Sequence, residues 1–461
     1  MLLVEPRVMP PLDAEFRPAV LSMRAYGELV RQVGGTLLRI AVGRDDMTSV
    51  FDAHVLEMPT AAAEDTDWFV ERLAKSLLWI WGGSRLIVGG PLAIGECLAR
   101  LYAPGGPRAF DAEVMEAIYG QPFSVLAVGP DALPAPKQQS LVFSRRLDGC
   151  RIGLDLGGTD RKVVAVRDGE VVYAEEMPWD PKPQPDPSYH HAGIQEALEA
   201  AAAHLPRVDA IGISAAGVYC GNGVRLSSLF RGVPKDLFHS RVANLFMQLA
   251  SEWGVPLVVA NDGDVAALAG SMSLGANAVL GLALGTSLAA GYVDEDGNIT
   301  GWLNELGSVP VDWRPDAPAE RWSGDAGTGG EYLCQDTVVR LADSVGLLCR
   351  GSLPAAQGLR QVQEMAARGD ARAVAVMESV GCYLGYSVAF FAEFYPARHV
   401  LLLGRVMSGE GGLIVLRKAQ EVIATEFPEL QRRLTLHLPD EWTRRLGQAV
   451  AAASLPDLRV G

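Results

Sequence analysis

The sequence predicts an α/β protein whose second part is built of two similar halves. Three observations carry this. Strand-like runs alternate with helical runs from residue 151 to residue 404. A strand–glycine turn–strand pattern occurs twice, in Arg151–Val166 and in Gly281–Gly291. A hydrophobic run, Val258–Ala260, ends in an Asn-Asp-Gly-Asp turn that opens a small-residue helix. At 461 residues the chain is too long for one ordinary core, so two or three domains are expected.

The elements follow in order. Leu37–Val42 and Val50–Glu57 read as strands, Asp67–Ile80 as a helix and Arg85–Gly89 as a strand. Helices near 93–102 and 111–119 precede a strand at Phe123–Val128. Residues 130–148, rich in Pro and polar residues, mark a domain boundary. Beyond it, 151–157, 161–167 and 170–176 read as a β-meander, followed by a Pro-rich loop from Trp179 to Pro187. Ala192–His204 is an expected helix and Ala210–Ser214 a buried strand. A second helix, Ser240–Trp253, leads to strand Pro256–Ala260. The uncharged run Val265–Val293 is long enough to cross a membrane, but its glycines and hydroxyl residues suit a buried helix followed by strand, turn and strand. A long irregular segment spans 300–330, and Val400–Gly404 is the last strand. The expected partition is an N-terminal α/β domain (1–148), a first lobe (149–270) and a second lobe (271–461). Arg39–Met47 faintly echoes Arg151–Thr159 without its acid or glycine pair. The front of the chain is therefore either a degenerate copy of the same module or an unrelated α/β cap.

Composition narrows the function. The net charge is −15, which disfavours non-specific binding to nucleic acid or anionic membrane. Charged residues interrupt the N-terminus early, so no signal peptide is expected. The 6 cysteines are scattered without a Cys-x-x-Cys, as in reduced thiols of a cytoplasmic protein. The 7 histidines form no metal pattern, and His190-His191 reads as a solvated cap region.

The chemistry-bearing residues cluster at turns. Asp155-Leu-Gly157-Gly158-Thr159 joins one carboxylate, two residues without side chains and a hydroxyl. That mixture suits a phosphate tail: backbone N–H groups approach the oxygens and Asp155 holds Mg²⁺ directly or through water. A glycine pair in a hairpin is also an ordinary turn choice. The second turn, Gly285-Thr286-Ser287, makes a two-sided nucleotide clamp the better reading. Asn261 and Asp262 stand at the carboxyl end of a strand, where α/β sheets bind ligands. Either Asp262 or Asp264 is a candidate helix N-cap. Asp262 follows the strand most directly and is the expected base for an attacking hydroxyl. Asn304 and Glu305, in a glycine-flanked loop, suit sugar hydroxyls, and Gly404 opens a glycine-rich loop suited to an adenine ring.

These pieces, in this order, resemble the ROK group of sugar kinases and regulators within the actin/hexokinase superfamily, over about residues 150–455. The resemblance implies two lobes of βββαβαβα type, an actin/hexokinase-like ATPase fold, here with an additional N-terminal α/β domain. It implies ATP and Mg²⁺ as cofactors and a sugar or polyol as acceptor. Asp155, Gly157, Gly158 and Thr159 match its first phosphate motif and Gly285, Thr286 and Ser287 its second. Asn261 matches a sugar-binding Asn, Asp262 the base, Glu305 a substrate-binding Glu, and Gly404 the adenosine loop. Three departures stand out. Ser308 replaces a His, and the segment Trp322–Cys334 holds one cysteine where the family has a cysteine-rich zinc loop, so no zinc site is expected. Glu331 is still placed to reach the substrate. Arg405 follows Gly404 where a glycine is usual. The implied activity is ATP-dependent phosphoryl transfer to a hydroxyl. The alternative is a non-catalytic sensor of sugar or nucleotide that signals through the N-terminal domain. A homo-oligomer is left open.

Overall fold

A computed structural model describes residues 2–56, 63–138, 145–440 and 443–458. Glu57, the expected end of the second strand, and residues 139–144 of the expected boundary segment lie outside the described residues. Two compact units result. The first combines Met1–Gln139, Ala283–Ala289 and Trp302–Leu438; the second combines Ser140–Leu282, Ala290–Gly301 and Pro439–Gly461.

The front of the chain runs α1 (Ala19–Val33), β1 (Thr36–Arg44), β2 (Met47–Val55), α2 (Ala63–Trp81), β3 (Arg85–Gly89), α3 (Leu92–Leu101), α4 (Ala109–Tyr119) and β4 (Ser124–Val128). Its sheet has the order β2-β1-β3-β4. β1 meets β3 antiparallel, with Arg39 opposite Gly89.

The middle of the chain runs β5 (Cys150–Leu156), β6 (Asp160–Arg167), β7 (Glu170–Pro178), α5 (Pro187–Ala202) and β8 (Ala210–Ala215). A small hairpin follows, β9 (Val218–Cys220) and β10 (Gly223–Leu226). Then come α6 (Lys235–Leu237), α7 (Leu245–Trp253), β11 (Leu257–Asn261) and α8 (Asp262–Leu274). The main sheet is β11-β8-β5-β6-β7, with the β5–β6–β7 meander antiparallel and β5, β8 and β11 parallel. Here Arg151 lies opposite Ala210 in parallel, where the front sheet pairs its corresponding strands antiparallel. The front also has two hairpin strands in place of three. It is therefore not a copy of this module. The echo at 39–47 reflects only a shared preference for alternating apolar residues before a turn.

Strand alternation explains the two faces of the main sheet. Ile152, Leu154, Val163 and Ala165 face a core shared with Ile194 and Leu198 of α5 and Phe246 and Leu249 of α7. Val164 and Val166 face Ala449, Val450 and Ala453 on the opposite side.

The last part holds β12 (Val279–Leu284), β13 (Leu288–Val293), α9 (Gln335–Ser344), α10 (Ala355–Ala367), α11 (Ala371–Phe391), β14 (His399–Leu403), α12 (Gly409–Glu426), α13 (Pro428–Gln431), β15 (Thr435–His437) and α14 (Gln448–Ala453). Its sheet order is β13-β12-β14-β15. The run Val265–Val293 is, as read, a buried helix end and a strand pair. Among the described residues α11 alone is long and apolar enough to cross a membrane, and 83% of its apolar window is buried inside the structure.

The first unit contains residues 1–139, so the expected separate N-terminal domain is instead packed onto the 302–438 segment. A strap before α1 lies on α11: Leu12 N–H donates to Ser379 Oγ at 3.1 Å and Tyr383 O–H to Asp13 at 2.9 Å. Phe16, fully buried, stacks edge-on against Tyr383 at 4.9 Å.

Candidate active site

In the second unit, β5 delivers Asp155 and turns at once into β6. Gly157 N–H closes that turn on the Asp160 carbonyl at 2.9 Å. Among the described residues, no backbone or side-chain acceptor takes the N–H of Gly158 or Thr159. Trp179 pins the turn from the side, its indole N–H donating to the Gly157 carbonyl at 2.8 Å and its backbone N–H to Thr159 at 3.1 Å. The Lys182 side chain lies over Gly158: a Cβ there would stand 2.9 Å from Lys182 Nζ. The Lys182 backbone is itself wedged, since Gly232 packs against the carbonyls of Lys182 and Gln184.

Asp155 is buried at 9% exposure and accepts a hydrogen bond from Ser214 Oγ, on neighbouring β8, at 2.8 Å. Burial pushes its pKa up from 3.8 to about 6. The Ser214 bond and the Lys162 charge oppose this, and Asp262 and Asp160 add repulsion. Desolvation exceeds the stabilisation of the anion. The raised pKa marks Asp155 as a carboxylate short of positive charge, the condition a divalent cation relieves. Magnesium is commonly held by one or two carboxylates plus phosphate oxygens and water, which this donor set fits.

Asp262 begins α8 at the carboxyl end of β11. The helix N-cap is neither acid but Asn261, whose Oδ1 accepts from Gly263 N–H at 2.7 Å and Asp264 N–H at 3.3 Å. Its Nδ2 donates to the Gly217 carbonyl at 2.8 Å. Both ends of the Asn261 amide thus hold the strand–helix junction. The Asp262 carboxyl is left half-buried, its pKa raised by burial and held back by the Gly263 N–H.

In the first unit, Gly285 N–H closes its own turn on Ser287 at 3.0 Å. As at the first turn, no protein acceptor among the described residues takes the next two N–H groups, of Thr286 and Ser287. The start of α9 locks the turn: Gln335 N–H donates to the Gly285 carbonyl at 2.9 Å and Gln335 Nε2 to Thr286 Oγ1 at 3.2 Å. Gly404, at φ 89°, ends β14, and a Cβ there would meet the Leu284 carbonyl oxygen at 2.3 Å. Only glycine allows that approach.

Asn304 is almost fully buried, adopts φ 54°, and accepts from Tyr395 O–H at 2.8 Å. It shapes the loop that carries Glu305. Glu331 ends a short 3-10 turn, Gly329–Glu331; burial raises its pKa against the pull of Arg340. Ser308 ends the neighbouring 3-10 turn, Leu306–Ser308. The donor set here does not fit zinc. Cys334 is buried with its sulfur 3.4 Å from Thr337 Oγ1, its thiol pKa raised by burial. Among the described residues, no three His, Cys, Asp or Glu side chains converge to hold a metal.

Sequence reasoning missed Ser214, Lys162, Lys182 and Gln335. Lys162 was findable, since it lies opposite Asp155 in the meander register. Lys182 and Gln335 arrive through loop packing that no local pattern encodes. His190 also departs from expectation. Helix α5 starts at Pro187 under an Asp186 cap, which turns His190 inward to full burial, its Nε2 3.0 Å from both the Pro181 and Leu229 carbonyls. His191 stays outside, 2.9 Å from Glu252.

The sequence model described as ROK family matches residues 151–440. No curated protein matches the chain. Among solved structures, a ROK family glucokinase from Streptomyces griseus in complex with glucose and AMPPNP aligns at 22% identity and TM-score 0.50, covering 68% of this chain and 100% of that one. A ROK hexokinase from Thermus thermophilus aligns at 20% identity and TM-score 0.51, covering 66% and 97%. A ROK family transcriptional regulator, a homologue of the E. coli MLC protein, aligns at 20% identity and TM-score 0.54, covering 66% and 78%. These likenesses establish the fold.

Proposed function

The chain belongs to the ROK family, with its actin/hexokinase-like fold, and we propose that it transfers a phosphoryl group from ATP to a hydroxyl of a sugar or polyol. One observation carries the reading. Two carboxyls, Asp155 and Asp262, stand at the ends of parallel strands β5 and β11, and burial raises the pKa of both. Perturbed acids at strand ends are a signature of a working site.

The roles divide by attachment. Asp262, free of the N-cap duty that Asn261 performs, accepts the proton of the attacking hydroxyl; a raised pKa makes it a stronger base. Asp155, oriented by Ser214, would hold Mg²⁺, which would supply positive charge to neutralise the nucleotide's phosphates. The N–H groups of Gly158, Thr159, Thr286 and Ser287 donate to phosphate oxygens, and Lys182 adds a positive charge beside the first turn. Gly404 lets the backbone approach the adenosine moiety. Glu305 and Glu331 hydrogen-bond the acceptor's hydroxyls, while Asn304 keeps Glu305 in place. The glucose and AMPPNP bound to the Streptomyces griseus structure support a sugar and ATP as ligands.

ATP-dependent phosphorylation across a panel of hexoses, N-acetylhexosamines and polyols tests this directly. Turnover of any member supports the kinase. A sugar bound without turnover supports the sensor, which Ser308 and the altered Trp322–Cys334 segment favour.

A further inference from the structure

Glu305 precedes the short turn Leu306–Ser308 and Glu331 ends the turn Gly329–Glu331, where Thr337 Oγ1 and Arg340 Nη2 of α9 both donate to the Glu331 carbonyl at 2.9 Å. The turns pack backbone to backbone: Gly329 N–H donates to Val309 at 2.8 Å, and a Cβ on Gly330 would stand 3.2 Å from the Gly307 carbonyl oxygen. Irregular backbone of this kind needs an external anchor, because ordering each residue costs conformational entropy. In the ROK pattern a zinc-bound cysteine loop lies in this stretch, and the donor set here does not fit zinc.

On the Glu305 side and at the Trp322–Cys334 segment, the anchor comes from residues 1–139. The final carbonyls of α2 accept three consecutive N–H groups: Trp79 from Glu305 at 3.1 Å, Ile80 from Asn304 at 2.9 Å and Trp81 from Leu303 at 3.3 Å. A helix end leaves such carbonyls without partners, and the Glu305 loop satisfies them. Earlier on α2, Lys75 is fully buried and pairs with Asp325, from the Trp322–Cys334 segment, and with Asp111 of α4 at 2.7 Å. Arg108 pairs with Asp325 and Glu71. Trp79 Nε1 donates to Asp111 at 2.7 Å, and Arg72 donates to the Ala326 carbonyl at 3.3 Å. Glu71, Asp111 and Asp325 thus balance Arg72, Lys75 and Arg108.

We propose that this buried ion cluster takes the place of a metal: Asp325 is a positioning residue that fixes the Trp322–Cys334 segment and, with the α2 terminus, the placement of Glu305 and Glu331. The role assigned to those two acids rests on the kinase reading; the anchoring does not. A buried ion pair contributes little net stability compared with apolar packing, but removing one member leaves an uncompensated charge. Such a cluster therefore specifies one arrangement more than it stabilises the fold.

Hydrogen exchange on the full chain tests the anchoring without any ligand. In Asp325→Asn, exchange at amides 303–305 and 326–333 rises about tenfold or more, while α11 and the strap at 7–16 stay within about twofold. Trp79→Phe, which deletes one hydrogen bond to the cluster, shifts the same amides by less. A uniform rise across the first unit, or no local change in either variant, overturns the proposal. So does elemental analysis finding one zinc per purified chain. If the sugar panel shows turnover, Asp325→Asn raises the acceptor KM about tenfold with the ATP KM unchanged, as loss of acceptor contacts alone requires. An unchanged acceptor KM beside a locally opened loop overturns the positioning of the acids. Absence of turnover in the wild type refutes the kinase reading and leaves the exchange result to decide the anchoring.

Discussion

At the scale of single residues, Asp155 and Asp262 share an environment and differ in attachment. Ser214 grips Asp155, while Asn261 relieves Asp262 of helix capping. Asp262→Asn therefore keeps the fold and ATP binding, and transfer falls by about 10²–10⁴, the usual contribution of a general base. A coupled assay with unimpaired turnover would remove Asp262 from the mechanism. Asp155 predicts a pH dependence. Its folded pKa, about 6, lies above the ordinary 3.8. Stability from the protonated form is complete below about 4 and is lost as pH rises through about 6. Ionised Asp155 then costs the metal-free fold up to about 3 kcal/mol. At pH 7.5 Asp155→Asn should raise the thermal midpoint of the nucleotide-free protein while abolishing turnover. A lower midpoint would contradict the origin assigned to the shift. Metal–nucleotide binding should weaken below about pH 6 in the wild type.

At the scale of elements, close backbone approach is the recurring device. Helix α14 lies directly on the main sheet: a Cβ on Gly212 would meet the Ala452 carbonyl oxygen at 1.7 Å, and one on Gly153 the Ala449 oxygen at 1.9 Å. The small residues of α14 and these two glycines are one fitted surface. Gly212→Ala should destabilise the second unit by about 2–3 kcal/mol or more, because a rigid backbone cannot yield as a side chain does. Denaturant unfolding with an unchanged midpoint would refute this. Most strands up to β14 and the helices α2–α5, α7 and α8 were legible in the sequence, since apolar periodicity reports which face is buried; β15 and the helices from α9 onward were not individually placed. Helix α1, the β9–β10 hairpin and the true start of α5 were not placed either. Helix α1 does carry apolar periodicity, burying Ala19, Val20, Tyr26 and Val30, and was overlooked; the hairpin strands, of 3 and 4 residues, are too short to show any; and the third depended on the Asp186–Pro187 cap inside a loop that reads as Pro-rich.

At the scale of the whole molecule, residues 1–139 belong to the core of the first unit. Phe16, Asp13 and the α2 terminus supply contacts that the 302–438 segment cannot make by itself. A chain beginning at residue 145 should therefore fail to form the first unit, exposing α11 and aggregating. Limited proteolysis would detect the loss, and a soluble, protease-resistant product spanning 302–438 would contradict it. The expectation of a separate front domain arose because the Pro-rich stretch at 130–148 looks like a linker. A break in local pattern marks where elements stop, and says nothing about which long-range surfaces meet.

By itself the sequence determined the α/β class, the main strand order of elements, the two glycine turns and the acids at strand ends. Each is a local matter of side-chain periodicity and turn chemistry. Tertiary structure alone decided that Asn261 rather than an acid caps α8, that Lys182 covers Gly158, and that Lys75 and Arg108 reach Asp325 across more than two hundred residues. Those contacts depend on which distant surfaces bury each other. Burial sets the pKa values of Asp155 and Asp262 and fixes the loops of Glu305 and Glu331, and it is a property of the packed chain that no short stretch of sequence contains.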